Sequence, residues 1–341
     1  MNAMHLPRRC KSFSKRVLTH SGFFPLLSRL RKRGVVILRY HSVHGDRNRY
    51  ENSIGGGIIH SLDDFQEQMQ ILARDYVPVT LHDVLNFVSG EKEAPRRSVA
   101  VTFDDGYADN YEFALPALTR AGVPASFYVT VGSIGAKSPP WYCRLRHAFA
   151  VTRAQSWRDS LESAVRELLD ADQRWAAFLT ASRRCAQLAG SRQEECLRVI
   201  ENDLEVEPLT SRDCPMLTWD QVRGLKKAGH IVGSHTLTHP NLAYVGPEDL
   251  EIELKRSKSK LEAELGAPAI HFSYPSPILE PHYNERSITG TNQAGYRTAV
   301  TCTSGPVRMG DDPLVLRRIS APFQRDEFRW MLECTLVDRR M

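Results

Sequence analysis

The sequence predicts an α/β fold, an irregular (β/α) barrel of seven strands with a helical insertion, and three observations predict it. Seven apolar, β-prone runs recur: Gly34 to Tyr40, Ser98 to Phe103, Ala125 to Val131, His230 to Ser234, Ile270 to Tyr274, Arg297 to Cys302 and Leu314 to Ile319. Helical spacing lies between them, which implies parallel pairing and right-handed crossovers. The stretch from Ser133 to Pro215 breaks the alternation: it is rich in Arg, Glu, Ala and Leu at helical spacing and carries no strand signal. A doubly wound open sheet gives the same one-dimensional pattern.

The chain divides accordingly into residues 1–33, residues 34–132 with 216–330, and the insertion 133–215. The first segment holds Arg8, Arg9, Lys11, Lys15, Arg16, Arg29, Arg31, Lys32 and Arg33 ahead of the first acid, Asp46. Its apolar runs are too short for a signal-peptide core or a membrane span. It suits an interfacial helix, or equally a solvated tail laying a few apolar groups on the domain. The run from Gly34 ends at His41. The loop Ser42 to His60 carries Gly55-Gly56-Gly57 without the lysine of a phosphate loop, and reads as flexible. Ser61-Leu62-Asp63-Asp64 and Thr80-Leu81-His82-Asp83 are capping patterns ahead of amphipathic helices, and Tyr107 to Ala121 reads as a helix between two strands. In the insertion, Leu161, Val165, Leu168 and Leu169, then Trp175, Phe178 and Leu179, are spaced as helix faces. Trp141-Tyr142 at its entrance either packs the insertion's base or offers a ring face on which a ligand could stack. Thr218 with Gln221 caps the next helix, Gly229 ends it, and the Glu and Lys of Glu248 to Leu265 read as a solvated face.

At 341 residues and 42% hydrophobic content the chain has room for one large α/β domain with an insertion, or for two modest domains. Its seven cysteines are scattered, odd in number and without Cys-x-x-Cys, which argues for free thiols in a reducing compartment and against a cysteine zinc site. The net charge of +5 is mild, and the part expected to fold has no aromatic-interleaved basic stripe, which argues against a nucleic-acid partner.

Two motifs carry chemistry. Val101-Thr102-Phe103-Asp104-Asp105-Gly106-Tyr107 ends an apolar run in two adjacent carboxylates and a glycine, just before a helix start. In α/β folds the carboxyl ends of strands are where loops converge on a rigid sheet. Adjacent aspartates repel, so a metal cation or a shared proton suits them, as does a plain solvated turn. In the second half of the chain, Gly233-Ser234-His235-Thr236-Leu237-Thr238-His239-Pro240 ends another run with two histidines four apart, a spacing that brings both imidazoles to one side of a helical turn and to one ion. No glutamate separates them as in His-Glu-x-x-His, so a third ligand comes from elsewhere, and the aspartate pair is the obvious donor. Alone, the histidines also read as a ligand-free surface pair. One carboxylate and two neutral imidazoles suit one divalent ion, Zn first and then Co, Fe or Mn, with a position left for water. The remaining aspartate suits a base, and a histidine suits a proton donor to a leaving group.

These residues resemble the first two motifs of the polysaccharide deacetylase family, the NodB-homology domain of carbohydrate esterase family 4. Ile37 to Val43, Pro124 to Val129, Leu217-Thr218-Trp219, Phe272-Ser273-Tyr274-Pro275, Ala294-Gly295-Tyr296-Arg297 and Leu316-Arg317-Arg318-Ile319 agree with it in the same order. The resemblance implies a NodB-type (β/α)7 barrel, Asp105, His235 and His239 as metal ligands, and Asp104 as catalytic base provided a neighbour holds it charged. The chain departs from the family twice. Its third motif reads Tyr274-Pro275-Ser276-Pro277: no arginine stands beside it to steady the base, and Pro277 has no N–H where glycine is usual. Tyr274 and the backbone N–H of Ser276 are left to face substrate and oxyanion. The fifth motif lacks the family's usual histidine, while Tyr40-His41 is similar to an arrangement in members with a permuted acid. His41 is thus expected as general acid or site-lining residue, with a structural, hydrogen-bonded histidine as the alternative; His271 and His282 are further candidates.

The expected function is a metal-dependent N-deacetylase acting on the N-acetyl amide of an amino sugar in a surface polysaccharide or its lipid-linked precursor. The altered third motif leaves two alternatives, a non-catalytic glycan-binding protein of the same fold and a deformylase or other amide hydrolase on a small sugar. With no export signal legible, a cytoplasmic place is expected, residues 1–33 resting on the inner face of the membrane.

Overall fold

The seven expected strands form one parallel sheet. In chain order they are β1 (Val35–Tyr40), β2 (Ser98–Phe103), β3 (Ala125–Val129), β4 (Ile231–Ser234), β5 (His271–Ser273), β6 (Thr298–Val300) and β7 (Ile319–Ser320). They are hydrogen-bonded in the order β6-β5-β4-β3-β2-β1-β7, with a short strand, Val77–Pro78, beside the start of β2. The structure, a computed structural model, describes residues 34–337, so the membrane-surface segment expected at residues 1–33 lies outside the described residues. The strand order is the chain order with β7 brought round to β1. The sheet therefore winds in one direction and lacks the reversal point of a doubly wound sheet.

Closure rests on one segment. Leu316 bridges to Val300, donating its N–H to Ala299 and accepting from Thr301, both at 2.9 Å, and the Arg318 N–H reaches the Thr303 carbonyl at 3.0 Å. Three residues on, Ile319 pairs with Leu38 of β1. The run expected as a strand over Leu314 to Ile319 thus spans the gap between β6 and β1 rather than pairing along its whole length.

Alternation along the strands separates two cores. Val35, Ile37, Ala100, Tyr128, Val300 and Leu316 face the barrel interior, whose lower end is filled by Leu81, Val84, Leu85 and Phe87. The last four come from α2 (Leu81–Val88), begun by a Thr80–Asp83 capping box. Val36, Leu38, Tyr40, Val101, Phe103 and Phe127 face outward against Phe65, Met69 and Leu72 of α1 (Leu62–Asp75), Leu118 of α3 (Leu115–Ala121) and Phe328 and Leu332 of the C-terminal helix Arg325–Leu336. A period of two on the strands and 3.6 on the helices suffices to make both layers.

Three local expectations are corrected. The helix expected over Tyr107 to Ala121 is a π-turn at Asn110–Ala114 leading into α3. The loop read as flexible pairs Ser42–His44 with Ile59–Ser61 in a short parallel ribbon. The insertion holds α4 (Trp141–Val151), α5 (Ala171–Ala186) and α6 (Gly190–Asp203), but also a hairpin, Ser156–Asp159 with Ala164–Glu167. Leu161 and Val165, expected on a helix, sit exposed on that hairpin, which is pinned by the fully buried carboxylate of Asp159 between Arg166 and Arg184. The remaining helices are α7 (Trp219–Lys227), begun by the expected Thr218–Gln221 capping box, α8 (Pro247–Leu265) and α9 (Glu285–Gln293).

Candidate active site

The carboxyl ends of β2, β4 and β5 converge. The Asp104 N–H donates to the Tyr40 carbonyl and the His235 N–H to that of Val129, so each chemical motif is tied to the neighbouring strand. Asp105 follows in a left-handed conformation, φ 77°. The histidines do not lie on a helical turn as expected. They are carried by a loop with left-handed Thr236 (φ 67°) and His239 (φ 63°). Glu253 of α8 holds that loop: its carboxylate accepts the N–H groups of Leu237 and Thr238 at 2.8 Å and the Thr238 hydroxyl at 2.5 Å. Glu253 is buried, which corrects the reading of every charge on this helix as solvated. Below, the Gly132 N–H donates to the Leu237 carbonyl at 2.8 Å, and a Cβ at that position would overlap the carbonyl.

Asp105, His235 and His239 are buried and offer one ligand atom each, all within 4.8 Å of one another. Asp105 Oδ1 stands 3.5 Å from His235 Nε2 and 3.4 Å from His239 Nε2. Atoms bound about 2.1 Å from a tetrahedral ion stand about 3.4 Å apart, so the separations of Asp105 from the two imidazoles suit a first-row divalent metal. The proton count agrees. His235 Nδ1 lies 2.8 Å from the Ser273 carbonyl, and a carbonyl only accepts, so Nδ1 carries the proton and Nε2 turns a lone pair toward the carboxylate. Burial lowers the His235 pKa to about 4 and keeps the ring neutral, so two acceptors face each other, an arrangement that suits a cation between them. Burial pushes the Asp105 carboxyl up, but the surrounding imidazoles, His239 first and then His41 and His235, outweigh it and leave it at about 2.

Asp104 faces a guanidinium. Arg318, wholly buried, grips it through both arms, Nη1 to Oδ1 at 2.8 Å and Nη2 to Oδ2 at 2.7 Å. Arg318 is itself fixed by the Thr301 carbonyl at 2.9 Å and the hydroxyls of Thr102 (3.1 Å) and Ser273 (3.0 Å), and Ser273 also donates to Asp104 Oδ1 at 3.1 Å. Burial pushes the Asp104 carboxyl up, and the charge and fork of Arg318 overcome it, holding the group ionised well below the usual carboxylate range. The neighbour needed to keep Asp104 charged is therefore present, not beside the third motif but on the segment that closes the barrel.

His41 stands half-buried at the end of β1, within electrostatic reach of Asp105 and Asp104, and burial lowers its pKa to about 4. Its carbonyl accepts from Asn110 Nδ2 at 2.7 Å, and the hydroxyl of neighbouring Ser42 donates to the buried Asp109 carboxylate. Ser276 is partly exposed beyond β5, and no acceptor among the described residues takes its N–H. The expectation of a substrate-facing Tyr274 is corrected. Ser273 points into the barrel, so the next residue points out, and the Tyr274 ring packs with Leu250, Leu254, Phe272 and Tyr296 and stacks on Tyr283. His271 lies at the opposite end of β5, bonded to Thr298 Oγ1 (2.6 Å) and His82 Nδ1 (3.0 Å), and His282 stands 3.4 Å from Glu280. Neither joins the cluster.

The sequence profile of the family described as "Polysaccharide deacetylase" matches residues 91–299, more than half of the chain. The chain belongs to the polysaccharide deacetylase family. This deacetylase is thus a hydrolase acting on carbon–nitrogen bonds. YxkH of Bacillus subtilis (strain 168), whose name carries the same family, is 21% identical over 284 residues, 83% of this chain and 70% of that one. Among solved structures, the Streptococcus pyogenes deacetylase PplD in complex with acetate is similar at 20% identity and a TM-score of 0.57, covering 87% of this chain and 97% of that one. IcaB from Ammonifex degensii is similar at 18% identity and a TM-score of 0.58, covering 89% and 98%. These likenesses are of fold, and the fold is the (β/α)7 barrel that the strand order shows.

Three polar residues of the deacetylase's site escaped the sequence reading: Arg318, Ser273 and Glu253. Each had a local signal. Ser273 interrupts the apolar run between Phe272 and Tyr274, and Arg318 follows an apolar run that ends at the barrel mouth. Glu253 had the weakest, since one buried acid among the exposed ones of α8 is visible only once the histidine loop is seen above it.

Proposed function

We propose that the deacetylase is a metal-dependent N-deacetylase that removes the acetyl group from an amino sugar of a surface polysaccharide or of its lipid-linked precursor. The observation that carries the reading is the pairing of a three-ligand cluster, Asp105, His235 and His239, with a carboxylate held ionised beside it by a buried arginine. Asp105, His235 and His239 would hold one ion, Zn by ligand type, with Co, Fe or Mn as alternatives. Such an ion polarises the acyl oxygen and makes a water acidic near neutral pH. Asp104, barred from protonation at rest by Arg318, takes the proton from the attacking water. The Ser276 N–H, which meets no acceptor among the described residues, donates to the oxyanion that forms on the acyl carbon. His41, neutral in the free enzyme, receives the proton from Asp104 and returns it to the leaving amine. Tyr274 supports this set only as packing for the strand end.

The test is acetate release from short N-acetylglucosamine oligomers and from a lipid-linked amino-sugar preparation, before and after chelation and metal add-back. The expected result is metal-dependent acetate from at least one of them; metal-loaded protein that releases formate but no acetate would move the assignment to a deformylase.

We place this activity at the cytoplasmic face of the membrane, with residues 1–33 as a peripheral tether. The reading is supported by the basic, apolar-interleaved composition of that segment and by seven scattered cysteines with no Cys-x-x-Cys. No helix among the described residues is long and apolar enough to cross a membrane. In a low-salt lysate the full chain is expected to pellet with membranes and to be released by high salt; a fully soluble chain at low salt would remove the tether.

A further inference from the structure

The two candidate metal histidines are held in different ways. His235 has the support usual for a ligating imidazole, a hydrogen bond from its second ring nitrogen, here to the Ser273 carbonyl at 2.8 Å. The corresponding nitrogen of His239, Nδ1, is buried and has no partner among the described residues. Its ring orientation must come from somewhere else.

The insertion supplies it. The Trp141 indole N–H donates to the His239 carbonyl at 3.1 Å, and the Tyr142 ring lies 4.5 Å from the His239 ring, centroid to centroid, tilted by 51°. Together with the bond from the His239 N–H to Thr236 Oγ1 at 2.9 Å, these contacts hold a residue in the left-handed region, φ 63°, which few non-glycine residues occupy. Trp141 and Tyr142 open α4, the first helix of the insertion, and Trp141 is built into the insertion's own core with Leu145, Phe149, Trp157 and Phe178. The position of His239 is therefore coupled to the first turn of the insertion, through Trp141 and Tyr142 themselves.

We infer that Trp141 and Tyr142 are positioning residues for His239, through which the insertion sets the affinity of the deacetylase for its metal. The inference rests on the reading of Asp105, His235 and His239 as the metal site. The indole fixes the backbone from which the imidazole projects; the phenol ring fixes its plane, in place of the missing hydrogen bond. Loss of such support typically weakens metal binding by about 10- to 100-fold.

The experiment titrates Co²⁺ into the metal-free full chain and reads both the dissociation constant and the ligand-field absorption bands. Trp141→Phe keeps the ring bulk and removes the N–H. Tyr142→Leu removes the aromatic face, Tyr142→Phe restores it, and Trp157→Phe loosens the insertion core without touching His239. The expected result is a loss of about 10- to 100-fold in Co²⁺ affinity with altered bands for Trp141→Phe and Tyr142→Leu. Tyr142→Phe is expected to match the wild type, and Trp157→Phe to melt earlier with unchanged affinity. Cooperatively melting Trp141→Phe and Tyr142→Leu proteins with wild-type affinity and bands would overturn the inference. So would an equal loss in Trp157→Phe, which would trace the effect to general instability. Should Trp141→Phe fail to fold, Tyr142→Leu against Tyr142→Phe decides. A wild type that binds no Co²⁺ at all would instead defeat the reading of the metal site.

Discussion

Arg318→Met is expected to cut the turnover of the deacetylase by about 100-fold or more and to lower its stability by about 3–5 kcal/mol, read by acetate release and thermal melting. The two effects share one cause. Arg318 is the only cation in contact with Asp104 among the described residues, and both groups are buried. Without the guanidinium, a buried carboxylate either remains charged and unpaired or takes a proton and ceases to be a base. Arg318→Lys keeps the charge but loses the two-armed grip and the bonds to Thr301, Thr102 and Ser273, so an intermediate defect is expected. Adding Asp104→Asn to Arg318→Met removes the orphaned charge; the double variant should regain much of the stability and none of the activity. Wild-type turnover in Arg318→Met would show that Asp104 does not need to be held charged, and would remove it as the base.

Asp104→Asn and His235→Ala are expected to fail in different ways. The first should lose about 10²- to 10⁴-fold in kcat, the range for a general base, while keeping its metal content and its KM. The second should lose metal on dialysis, with any residual activity returning only at high added metal. The contrast follows from the geometry: Asp105, and not Asp104, stands at 3.4–3.5 Å from the two imidazoles. Metal loss in Asp104→Asn would exchange the roles of the two aspartates; stoichiometric metal retained by His235→Ala would break the ligand set.

Much of this was legible in the sequence because the signals are local. A β-prone run ending in Asp-Asp-Gly, and another ending in His-x-x-x-His, each state a strand end and its chemistry within ten residues, and both motifs are where those residues put them. The capping patterns at Thr80 and Thr218 were equally self-contained. What the sequence did not disclose was pairing across distance. Arg318 and Asp104 are 214 positions apart, and no periodicity joins them. The hairpin in the insertion was hidden for another reason: Leu161, Val165, Leu168 and Leu169 fit a helical period by spacing alone, whereas the hairpin is decided by the buried ion pairs of Asp159. Tyr274 was misplaced by one register step, since adjacent strand residues face opposite ways.

The closing segment has a consequence for how the protein comes into being. While the ribosome is still making the chain, both aspartates and both histidines have emerged and β2, β3 and β4 can pair, yet the partner of Asp104 has not been synthesised. Enclosing Asp104 at that stage would leave its carboxylate uncompensated, which opposes its burial. Arrival of Leu316 to Ser320 seals the sheet against β1 and neutralises that charge in the same event. Competence for catalysis and completion of folding thus become one step, and a translation product that stops short of Arg318 would be left with a half-assembled, inert barrel.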